Sequence, residues 1–147
     1  MSDSQTIFLK ENSVTSYETG RMGELAVSYY LEYLGYQILE RNFRIKGGEI
    51  DLIASKEDIL CFVEVKTRKL NAVESGAEAV NQRKQRLVIR TAYQYLEKNN
   101  ISEEDWYFRY DIAEVITLHD RILDINYLEN AFDETGFHDN SQNFYEL

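Results

Sequence analysis

The sequence has one cysteine, two histidines and no apolar run long enough to cross a bilayer, and each scarcity closes a class of function. A single cysteine cannot form an internal disulfide or a thiolate metal cluster. Cys61 lies within the apolar run ILCFV, which predicts a buried thiol. His119 and His138 lack partners at zinc-like spacing, so any metal is expected to be held by oxygen. No transmembrane helix is expected. The first residues, MSDSQTIFLKENSVTSYETG, lack the basic segment and apolar stretch of a secretory leader, which makes the cytoplasm the expected location.

Basic charge is also scarce, 16 Lys and Arg against 26 Asp and Glu, for a net charge of −10. That balance disfavours a nucleic-acid partner until its distribution is considered. Residues 1–40 sum to −4, residues 41–90 to +4 and residues 91–147 to −10. The cationic charge is concentrated in the middle third, where a local basic surface can form, and the last third would repel phosphates.

With 44% hydrophobic residues the chain has the composition of a globular protein, and its 147 residues fit one domain. A loose polar tail is expected over residues 1–15, an α/β domain over 16–132 and an acidic tail over 133–147. Met22, Leu25, Ala26, Tyr29 and Tyr33 recur at helical spacing, which predicts a helix over 15–34 with these residues on its core side. Gly35 is placed to end it. Strands are expected over 36–45, 49–55 and 59–66, with turns at Lys46-Gly47-Gly48 and Lys56-Glu57-Asp58. A loop over 69–80 leads to a second helix, capped by Asn81, running to about Lys98, with Leu87, Val88, Thr91, Ala92, Tyr95 and Leu96 facing inward. WYFRYDIAEVI and RILDINYL read as two further strands. The order predicts a mixed sheet flanked by helices.

Side chains alternate along a strand, so Glu64 and Lys66 share a face. A hairpin turning between Glu57 and Asp58 sets Leu52 opposite Val63, Asp51 opposite Glu64 and Glu49 opposite Lys66. It gathers Ile50, Leu52, Ala54, Cys61, Val63 and Val65 on one side. Two adjacent carboxylates repel, and one must hold a proton or share a cation. Mg²⁺, or Mn²⁺, suits an all-oxygen site of this kind, and Lys66 would orient water or offset developing negative charge. The plain alternative is a solvated hairpin face on which opposite charges add only about 0.2 to 1 kcal/mol per pair.

The segment GRMGELAVSYYLEYLGYQILERNFRIKGGEIDLIASKEDILCFVEVKTR, residues 20–68, resembles the YraN-like family of uncharacterised bacterial proteins, and RKQRL and RYDIAEV extend the likeness to about Val115. That family resembles a branch of the PD-(D/E)XK nuclease superfamily, which has a restriction-endonuclease-like core of mixed sheet and flanking helices. The resemblance implies Glu24, Asp51, Glu64 and Lys66 as catalytic residues, Asp51, Glu64 and Val65 as the metal-binding set, and a Mg²⁺-dependent nuclease acting on nucleic acid, with DNA favoured. Ile50 stands where the superfamily pattern has proline. Arg83, Lys84, Arg86 and Arg90 on the second helix, with Arg41, Arg44, Arg68 and Lys69, are the expected nucleic-acid contacts. Two other readings stay open: a module that keeps the fold and binds nucleic acid without cutting it, and an interaction protein whose acidic last third docks a basic protein partner.

Overall fold

The computed structural model describes residues 15–71 and 80–135. The expected N-terminal tail lies outside these residues except for Thr15, as do most of the loop over 69–80 and all but residues 133–135 of the acidic tail. Helix α1 (Ser16–Tyr33) begins with a reciprocal cap. The Glu18 N–H donates to Thr15 Oγ1 at 3.1 Å and the Thr15 N–H donates to Glu18 Oε2 at 3.3 Å, satisfying two amides that the helix itself leaves open. The helix ends at Gly35, whose φ of +95° a side chain would resist, and the Tyr36 N–H folds back onto the Leu31 carbonyl at 2.9 Å.

The chain continues as β1 (Gln37–Ile45), β2 (Gly48–Lys56), β3 (Ile59–Lys69), α2 (Gln82–Lys98), a short 3₁₀ turn (Glu103–Asp105), β4 (Tyr107–Leu118) and β5 (Arg121–Phe132). The five strands form one sheet in the order β1-β2-β3-β4-β5. All pairings are antiparallel except β3 with β4, whose parallel pairing follows from the crossover through α2. The architecture is the expected α/β one, a mixed sheet with a helix on each face. Among the described residues no helix is long and apolar enough to cross a membrane.

Each helix covers its own core. Val27 and Leu31 of α1 pack on Leu52, Ala54, Cys61, Val63, Ala113 and Val115. On the opposite face Val88, Ile89, Ala92, Tyr95 and Leu96 of α2 pack on Ile50, Ile53, Leu60, Phe62, Tyr110 and Ile112. The β1–β2 turn presses against α2 so closely that a Cβ on Gly48 would lie 2.2 Å from Thr91 Oγ1. The inward face expected for α2 is found, with Ile89 added and Leu87 only half-buried.

Two expectations about faces are corrected. The core stripe of α1 is Gly23, Val27, Ser28 and Leu31, while Met22, Leu25, Tyr29 and Tyr33 lie outside, Tyr33 at 88% exposure. Both stripes have helical spacing, and the compact one fits because small residues let the helix approach the sheet. The β2–β3 hairpin has no wet face over most of its length, because helices cover both sides and Ile53, Leu60 and Phe62 are as buried as Leu52, Ala54 and Cys61. Nor do Ile50 and Leu52 share a side: Ile50 packs beneath α2 and Leu52 beneath α1. Alternation breaks between them, at Asp51.

Candidate metal-binding acidic site

The hairpin register is the expected one where the strands pair, from Lys56 opposite Ile59 to Leu52 opposite Val63. There the ladder between β2 and β3 stops. One residue further along β2, the Asp51 carboxylate reaches across and its Oδ2 accepts the Val65 N–H at 2.8 Å. A side chain takes up an amide that a strand would otherwise satisfy. The strand irregularity at Asp51 and the end of the ladder are thus one event, and they bring Asp51 beside β3 at Glu64 and Val65.

Glu64 is 2% exposed. Its Oε2 lies 3.5 Å from the Nζ of Lys84 on α2, and its Oε1 is buried with no hydrogen-bond partner. Burial first, and the neighbouring charge of Asp51 second, push the Glu64 carboxyl up to about 8, against the pull of Lys84 and Lys66. Asp51 is raised too, chiefly by burial; the Val65 N–H, Lys84 and Lys66 oppose the shift, and Glu49 adds to it. Lys66, half-buried on β3 and in register with Glu114 of β4, thus acts electrostatically on both carboxylates.

Glu24 of α1 stands at the edge of this group. Burial and then the charge of Asp51 raise its carboxyl, while Arg21 and Asn42 lower it. Asn42, at φ +51°, sets its amide 3.2 Å from both Glu24 Oε2 and Arg21 Nη1, so that its nitrogen donates to the acid and its oxygen accepts from the guanidinium. Sequence reasoning missed Asn42, although asparagine is one of the few residues with a side chain that readily takes positive φ.

Among the described residues no three His, Cys, Asp or Glu side chains gather closely enough to hold a metal ion. The charge of Asp51 acts on both Glu64 and Glu24, so the three acids are electrostatic neighbours without forming a three-ligand cluster. A cation between Asp51 and Glu64 would complete its shell with main-chain oxygen and water, a habit of Mg²⁺. The donor set fits that ion, being all oxygen, with one buried carboxylate oxygen left without a partner.

The expected phosphate contacts divide. Arg68 is held within the fold by Glu114 at 2.9 Å, and Arg41 by Ser28 Oγ at 3.0 Å with Glu32 at 3.8 Å. Lys69 and Arg83 are exposed, while Arg86 and Arg90 are half-buried. Arg44 pairs with Glu49 at 3.3 Å and, together with Lys84, lines a cavity of about 340 Å³ that Ile45, Gly47, Gly48, Glu49 and Leu87 complete. A second cavity, of about 290 Å³, lies on the α1 side against Arg21, Glu24, Arg41 and Asn42.

The model of the uncharacterised protein family UPF0102 matches residues 23–115, a span that includes Glu24, the acidic pair, both lysines and Glu114. A UPF0102 protein of Alkaliphilus oremlandii is 46% identical over 113 residues, 77% of this chain and 96% of the relative. One from Alkaliphilus metalliredigens is 43% identical over 113 residues, again 77% and 96%. One from Clostridium acetobutylicum is 41% identical over 116 residues, 78% of this chain and 93% of the relative. The chain belongs to the uncharacterised protein family UPF0102, the YraN-like family that its residues 20–68 resemble.

Proposed function

We propose that the chain is a Mg²⁺-dependent nuclease that hydrolyses phosphodiester bonds of nucleic acid, DNA before RNA. The observation that carries this reading is the buried, partnerless Oε1 of Glu64 next to the Asp51 carboxylate. A buried polar atom without a partner is costly, and a fold retains one where a ligand satisfies it. Asp51 and Glu64 would hold the ion, with Val65 beside them on β3. Mg²⁺ bound there supplies a Lewis acid for the phosphate and lowers the proton affinity of a water.

The chain's own groups do the rest. The Val65 N–H fixes the Asp51 carboxylate, so its free oxygen is oriented before any ligand arrives. Lys66 stands on the same strand face as Glu64 and offers a donor to a non-bridging phosphate oxygen or to the attacking water, offsetting charge that grows as the new P–O bond forms. Glu24, with its raised proton affinity, is placed to accept or return a proton at the edge of the site. Water oxygen joins phosphorus, the old P–O bond breaks, and the leaving oxygen takes a proton.

The test is cleavage of linear and branched DNA and RNA in Mg²⁺ by wild type beside Asp51→Ala and Lys66→Ala. Metal-dependent cleavage that drops by at least about a hundredfold in both variants is the expected result. Cleavage by the variants at the wild-type rate, or none by wild type on any substrate, would move the chain to the non-catalytic binding reading.

A further inference from the structure

The cavity beside the acidic pair takes the nuclease reading one step further. It opens between the β1–β2 turn and the first turns of α2, and its volume of about 340 Å³ is at the lower end of what a small ligand occupies. Two cations line it, Arg44 and Lys84, against one anion, Glu49, which is held by Arg44. Lys84 also touches Glu64, so its ammonium stands at the boundary between cavity and acidic site. The remaining described walls are Ile45, Gly47, Gly48 and Leu87. None carries an aromatic ring on which a base could stack, or a side-chain amide that could read a base edge. The wall is also fixed, because Gly48 sits hard against Thr91 of α2.

We infer that this cavity is a subsite for a backbone phosphate of the nucleic acid neighbouring the bond to be cut, held by Arg44 and Lys84 without reference to base sequence. The inference rests on the nuclease reading for its ligand, and it names the contacts that would position the strand. Lys84, gripping Glu64 with the same ammonium, sets the bound phosphate at a fixed distance from the acidic pair. Arg121, exposed at the start of β5 and outside the cavity, supplies a control of equal charge.

The experiment is fluorescence anisotropy of full-length protein with two labelled short DNA strands of unrelated sequence, in EDTA so that nothing is cut, across a salt series. Arg44→Met and Lys84→Met are each expected to weaken binding about tenfold for both strands alike, and to reduce the salt slope by about one. Arg121→Met should stay within about twofold of wild type. Circular dichroism of each variant excludes unfolding. Equal loss in Arg121→Met, or no loss in Arg44→Met and Lys84→Met, would overturn the subsite while leaving the nuclease reading standing. Wild type that binds neither strand would overturn the nucleic-acid reading itself, and the subsite with it.

Discussion

Two buried acidic groups lie on opposite faces of the same sheet, and they are finished to different degrees. Beneath α1, Asp111 of β4 is wholly buried and fully occupied. It accepts from Arg109 Nε and Nη2 at about 3.0 Å, the Tyr127 hydroxyl at 2.5 Å, the Asn130 N–H at 2.8 Å and the Cys61 thiol at 3.2 Å. Arg109 in turn donates to the Tyr36 hydroxyl at 2.6 Å. Beneath α2, Glu64 has one oxygen against Lys84 and the other against nothing, with a second carboxylate close by. The first group satisfies its own oxygens; the second leaves Glu64 Oε1 without a hydrogen-bond partner. Two buried acids on one sheet thus differ in how many of their oxygens are satisfied.

Breaking the finished group should cost the most. Asp111→Ala strands a buried guanidinium and a phenol, and is expected to destabilise by about 3 to 5 kcal/mol in urea unfolding. Phe62→Ala, which empties the centre of the α2 core, belongs in the same range of about 3 to 5 kcal/mol. The unfinished group should behave oppositely. Below its raised range Glu64 already holds a proton, so there Glu64→Gln is expected to leave stability without metal within about 1 kcal/mol of wild type, while cation binding is lost. A large stability loss in Glu64→Gln would make the two groups alike and remove the ground for the contrast.

Proton linkage sharpens the same comparison. The Glu64 carboxyl sits at about 8 in the fold against 4.5 when unperturbed, so between these values the folded chain keeps a proton that the unfolded chain has released. Its contribution is fully present below pH 4.5 and is lost as pH rises towards 8. In EDTA, wild-type Tm should therefore fall relative to Glu64→Gln across this window, and Mg²⁺ binding should strengthen over it as the competing proton leaves. A difference in Tm that stays flat with pH would contradict this. Cys61→Ala, where a weak donor to Asp111 and one sulfur's volume are lost, is expected to cost about 1 to 2 kcal/mol.

Only the acidic-pair side of this contrast was legible in the residues; Asp111 meets Tyr127 and Asn130 through the pairing of β4 with β5, which no local pattern marks. The register of β2 on β3 followed from apolar residues that had to meet and holds from Lys56 and Ile59 to Leu52 and Val63, whereas the expected pairings of Asp51 with Glu64 and of Glu49 with Lys66 lie beyond the end of the ladder. The extent of α1 was legible, but its buried side was not. Met22, Leu25, Tyr29 and Tyr33 form as good an apolar stripe as Val27 and Leu31, and spacing does not say which one the sheet selects. The break in alternation at Asp51 was hidden because the side chain itself replaces a strand hydrogen bond there. Lys84 looked like one more member of a basic helix face. Its contact with Glu64 depends on where the crossover returns α2, and no local pattern encodes that. Arg68 and Arg41 read as free cations for the same reason, since Glu114 and Ser28 come from distant segments.

The most direct test of the acidic pair as a metal site is calorimetric titration of Mg²⁺ into wild type, Asp51→Asn and Glu64→Gln at one pH above the Glu64 range. One binding site in wild type, absent in both variants with their folds intact, is the predicted result. No binding to wild type, or binding undiminished in the two variants, would contradict it.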